Sequence, residues 1–160
     1  MSSMTMPSSA PAESRTGHWG RYALIGLATI VAAVVANVVV WAIGSALVGY
    51  DARFLPLASV GGAVVFTLVP AVVAVLLYAL LLRFAANPSR VFTIVAAVVL
   101  ALSLIPDFTY IPTVPGSSAG QTAVLMVMHV VAAVVIVGML TSFARRGGAV
   151  ALSPLADGRR

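Results

Sequence analysis

The stretch YALIGLATIVAAVVANVVVWAIGSALV, residues 22–48, contains no charged side chain. A helix rises about 1.5 Å per residue and needs about 20 apolar residues to cross the hydrocarbon of a bilayer, so this run is long enough to span one. Three further runs without Asp, Glu, Lys or Arg follow at 57–82, 91–106 and 121–143. The third is the shortest and stops at Asp107, so it needs Phe108, Tyr110 and Ile111 to reach the far headgroups, or a locally thinned bilayer. The expected architecture is all-α, a bundle of four transmembrane helices joined by short connections.

Composition agrees with lipid as the solvent. At 61% hydrophobic and 8% charged, the chain has too little polar surface to coat a water-soluble globule. Four spans in 160 residues leave no room for a soluble catalytic domain. There is no cysteine, which removes disulfides, thiolate metal sites and cysteine nucleophiles together. All nine basic residues are arginine, a usage that reads as codon bias from a GC-rich bacterial genome.

The net charge of +5 does not point to nucleic acid, because the arginines stand in small groups beside helix ends and form no basic face. They read as topology signals. On one side lie Arg15, Arg21, Arg83, Arg90, Arg145, Arg146, Arg159 and Arg160, and on the other only Arg53. Since Lys and Arg are retained on the cytoplasmic side, eight against one predicts that the N-terminus and the C-terminus are both cytoplasmic, in a multi-pass protein of the plasma membrane. A cleaved signal peptide is the competing reading of the first run. Its apolar region would be about 7 to 15 residues, far shorter than 22–48, so an uncleaved first helix is expected.

Residues 1–18 are rich in Ser, Pro and Ala and read as a disordered cytoplasmic tail, residues 19–146 as the membrane domain, and residues 147–160 as a flexible tail after Arg145 and Arg146. Trp19 and Tyr22 are placed as inner-interface anchors, with Trp41, Tyr50 and Phe54 marking the outer end of helix 1 and its loop. Helix 1 carries small residues at four-residue spacing, Ala28, Ala32 and Ala36, beside a second ridge of Thr29, Ala33 and Asn37. Pro70 removes one backbone bond in helix 2 and frees the carbonyl of Phe66, for which Thr67 is a candidate partner. Asn87 and Pro88 make the short turn that sets helices 2 and 3 antiparallel. Ile105 before Pro106 is biased away from helix, so helix 3 is expected to end or kink there.

Four polar residues, one per helix, are unexpected in hydrocarbon: Asn37, Thr67, Ser103 and His129. Counted from the middle of each run, all four fall roughly 3 to 7 Å to the outer side of the midplane. At matched depth they form a candidate polar layer, able to join helices or to line a small hydrated cavity. The structural alternative is that Ser and Thr satisfy backbone carbonyls of their own helices. His129 stands out as the one ionisable residue well inside a span. Asp107, one turn beyond Ser103 if helix 3 continues, is a candidate ion-pair partner for it; otherwise Asp107 sits among the headgroups.

Signatures of catalysis are missing from the sequence: no GxSxG elbow, no HExxH site, no phosphate-binding glycine loop and no paired intramembrane carboxylates. Ser103 with His129 is the one conceivable nucleophile couple, and similar depth is all that supports it. No enzyme, cofactor or metal is expected.

Several short motifs resemble an uncharacterised four-helix membrane protein family of high-GC bacteria, a domain of unknown function. They are Phe54-Leu55-Pro56-Leu57, Phe66-Thr67-Leu68-Val69, Pro88 with Arg90, Ser103-Leu104-Ile105-Pro106 and Met128-His129, within roughly residues 20 to 145. The resemblance implies a free-standing small membrane protein and supplies no activity. The expected role is a small accessory, scaffold or assembly protein whose partners are the lipid bilayer and a second copy or another membrane protein. The alternative is a transporter or channel component in which the polar layer lines an outward-facing cavity.

Overall fold

The computed structural model describes the backbone of residues 14–151 and the side chains of residues 19–142. It contains α1 (Ser14–Val48), a single turn α2 (Leu55–Ala58), α3 (Val60–Phe84), α4 (Pro88–Thr109), a 3-10 turn at Ile111–Thr113 and α5 (Ala119–Ala151). Four helices, within Trp19–Val48, Val60–Phe84, Pro88–Thr113 and Ala119–Ser142, are long and apolar enough to cross a membrane, so the expected four-helix, all-α architecture is borne out. Helix also takes in residues 14–18 and 147–151, which composition assigns to tails. Once a helix is nucleated, each added residue gains a hydrogen bond, so helices run past the edges of their apolar spans. The remainder of both expected tails, residues 1–13 and 152–160, lies outside the described residues.

The connections at the Asp51 end differ most from expectation. Gly49 leaves α1 at φ +68°, a left-handed conformation that glycine adopts without steric cost, while its N–H donates to the Ser45 carbonyl. The helix expected to begin at Leu57 is broken in two at Ser59, which is extended at φ −147° and ψ 156°. Its hydroxyl accepts from the Gly62 N–H at 3.3 Å and so caps α3. At the end of the third span, α4 continues through Pro106 to Thr109 instead of stopping near Ile105. One ladder bond is lost at the proline, but the Tyr110 N–H donates to the Pro106 carbonyl at 2.8 Å and the Thr109 hydroxyl to that of Ile105 at 2.9 Å, which closes the next turn. Asp107 therefore lies on a helix, one turn beyond Ser103.

α1 is the hub of the bundle. It packs along α3 on one side and α5 on the other, α4 lies against α5, and α3 and α4 touch each other sparsely. The buried ridge of α1 is Thr29, Ala33 and Asn37, whereas Ala28 faces outward. A small or short side chain at every fourth position lets the neighbouring helices come close. Two hydrophobic clusters anchor the ends. One gathers Tyr22, Ala71, Tyr78, Phe92 and Leu140; the other gathers Phe54, Leu57, Ala63, Ile111 and Met128.

The aromatic residues placed as headgroup anchors at the Asp51 end act as clamps. Trp41 donates its indole N–H to the Leu57 carbonyl at 3.0 Å, the Tyr50 hydroxyl donates to the Trp41 carbonyl at 2.9 Å, and Phe54 is buried. Ile111 and Val114 pack onto the same cluster, so the 110–118 connection folds over this end of the bundle.

Beneath Gly116, Asp51 receives the Arg53 backbone N–H at 2.8 Å and its guanidinium at 2.9 and 3.1 Å. These bonds hold the Asp51 carboxyl down at about 2, against an ordinary value of 3.8. A carboxyl lowered by folding contributes order that is fully present above its unfolded value and lost as pH falls through its folded one. Hydrogen exchange at the Arg53 amide, normalised for intrinsic rate, should accordingly lose protection between about pH 4 and pH 2. In Asp51→Asn that pH dependence should vanish.

Candidate functional site

Where α3 and α4 separate, the bundle holds a cleft of about 340 Å³. Asn37, Thr67, Ser103 and His129 all contribute to its walls, so the four polar residues picked out at matched depth meet around one space. The remaining wall is apolar, from Phe66 and Leu77 on α3, Val99 and Leu100 on α4, and Met128 and Ile136 on α5. Phe66, Val73 and Val99, exposed at 62%, 58% and 58%, frame the opening on the α3 and α4 sides. The cleft thus faces sideways, toward the surface that lipid covers, and no residue of the 110–118 connection lines it.

The polar contacts have a direction. The Thr67 hydroxyl donates its one proton to the Ala63 carbonyl at 2.8 Å, leaving only lone pairs for another partner. Asn37 must therefore turn its amide nitrogen toward Thr67, and Nδ2 donates at 2.8 Å. That bond ties α1 to α3 and fixes the amide orientation. Asn37 Oδ1 is left buried without a partner. Ser103 donates to the Leu100 carbonyl at 2.8 Å and stays within its own helix, as the structural alternative describes. Nor does Thr67 satisfy the carbonyl of Phe66 that Pro70 frees, since its proton goes to Ala63.

On the α4 and α5 side Asp107 and His129 come together, and of the two only His129 lines the cleft. Oδ2 lies 3.2 Å from Nδ1, with side chains exposed at 3% and 35% respectively. The approach is close enough for strong attraction but off the alignment of a hydrogen bond, and neither atom has another partner. The pair connects α4 to α5 at the edge of the cleft. Among the described residues no third His, Cys, Asp or Glu joins them in a group able to hold a metal.

Sequence reasoning missed Gln121. It is buried, donates Nε2 to the Gly116 carbonyl at 2.9 Å, and leaves Oε1 without a partner. Its position at the head of α5 made it look like an ordinary polar residue at a span end. The cleft itself had no sequence signal, because it arises where two helices fail to pack.

Four apolar spans around a polar-floored lateral cleft define a small multi-pass helical membrane protein. The chain belongs to a family of unknown function (DUF6069), whose model matches residues 18–146. Neither the curated proteins nor the solved structures contain a match to it.

Proposed function

We propose that this protein is a non-enzymatic accessory protein of the bacterial plasma membrane, with both termini cytoplasmic, that holds an apolar guest taken laterally from the bilayer. The observation that carries the reading is the cleft between α3 and α4: largely apolar, with four polar side chains on its walls and framed by lipid-facing side chains. Small-molecule sites have this character, a mostly apolar concavity with a few convergent polar groups. The distribution of arginine supports the orientation, and its use to the exclusion of lysine supports the source. The Ser103 hydroxyl is engaged with the Leu100 carbonyl, which speaks against its use as a nucleophile.

Because the chain has no cysteine, one introduced thiol can carry a nitroxide label without ambiguity. Labels at Ser103→Cys and, as a loop control, at Ala52→Cys, should respond differently to two relaxation agents in reconstituted vesicles. The Ser103 label should collide with oxygen, which concentrates in lipid, and be shielded from a water-soluble nickel chelate. The Ala52 label should show the reverse. Chelate access at Ser103 equal to that at Ala52 would overturn the lateral reading in favour of an outward-facing aqueous cavity.

A further inference from the structure

The donors and acceptors around the cleft do not balance. The hydroxyl protons of Thr67 and Ser103 are engaged by backbone carbonyls, and one of the two amide protons of Asn37 is engaged by Thr67. On the acceptor side, Asn37 Oδ1 is buried and unpartnered, in a residue only 3% exposed. It cannot exchange places with the nitrogen, since Thr67 has no proton left to give. The His129 side chain, 35% exposed, lines the same cleft, with its Nδ1 buried beside Asp107.

We infer that the guest is an uncharged amphiphile with a long apolar body and a hydroxyl end, which donates its proton to Asn37 Oδ1. This rests on the reading of the cleft as a lateral binding site. An unmet acceptor in hydrocarbon carries a desolvation penalty that a hydroxyl relieves. An ether or ester of the same shape has no proton to give and leaves the penalty at Oδ1 in place. A cationic head would find no carboxylate among the residues that line the cleft. An anionic head would meet the lone pairs of Asn37 Oδ1. The apolar walls accept the body of the molecule, and the 340 Å³ volume lies in the lower part of the range for small-molecule sites.

The test uses the full chain in phosphatidylcholine vesicles and two probes, a long-chain alcohol with a diazirine midway along the chain and its methyl ether. After photolysis, labelled peptides of α3 and α4 are quantified. The wild-type protein should take up the alcohol roughly five- to tenfold more than the ether, the equivalent of one hydrogen bond. Asn37→Leu, near in size and without an acceptor, should make the two probes equal by lowering the alcohol. Ala96→Leu, which pushes extra carbon into the cleft, should lower both. Equal labelling by the two probes in the wild type, both reduced by Ala96→Leu, would overturn the hydroxyl assignment and leave the cleft as a binding site. Labelling by both probes that ignores Ala96→Leu would overturn the cleft reading itself. The wild-type comparison of alcohol with ether needs no variant to fold.

Discussion

Replacing His129 with leucine should lower the unfolding free energy of the protein by about 3 kcal/mol, the scale expected when one member of a buried ion pair is removed and the other is left behind. Asp107 is the reason. Its side chain is 3% exposed, and apart from Nδ1 of His129 its Oδ2 has no polar neighbour within bonding distance. Leucine fills the space of the imidazole but offers that oxygen nothing. The converse holds for the double replacement. With Asp107→Leu added, both polar groups are gone, and most of the lost stability should return, since a buried pair replaced by apolar residues of similar volume is often neutral. Titration with a denaturing detergent from mixed micelles, on the wild type, both single variants and the double, gives the cycle. Additive losses in the double variant would show that the 3.2 Å approach contributes nothing.

Gly44→Ala should be similarly damaging, by about 2 to 3 kcal/mol, although it adds one methyl group to a helix. Gly44 is buried on α1 where α5 crosses it, and a Cβ there would fall 2.8 Å from both γ-carbons of Val124. It would also strike the Tyr50 hydroxyl, which donates to the Trp41 carbonyl one turn earlier. Overpacking and the loss of that clamp act together. Gly20→Ala is the control, since a Cβ at Gly20 meets nothing within 4 Å, and it should be neutral or slightly stabilising through its higher helix propensity. The same detergent titration reads both.

Much of the fold was legible because lipid imposes length and charge rules on single segments. Each of the four spans announced itself as a run without charge, and their helices fall where the runs lie. Asn37, Thr67, Ser103 and His129 fall in one layer by residue count because a helix converts residue count into height at a fixed rise. What resisted reading depends on the angle of each helix about its own axis. Two small-residue ridges on α1 looked equivalent, and only the packing shows that Thr29, Ala33 and Asn37 face the bundle while Ala28 does not. Local rules also yielded to tertiary context. The proline at 106 did not stop α4, because Thr109 and Tyr110 complete the next turn, and Trp41 commits its indole to Leu57 where a headgroup was expected.

The pairing of Asp107 with His129 has a consequence for how the chain is made. The carboxylate leaves the ribosome well before the ring that faces it, because all of residues 108–128 must be added between them. During that interval the third span would have to enter hydrocarbon carrying an acid, at a cost of about 2.5 to 3.5 kcal/mol for a central position and less toward the end of the helix. It is also the span whose uncharged run, 91–106, is the shortest of the four. Its stable entry should therefore depend on the arrival of the fourth, which supplies His129.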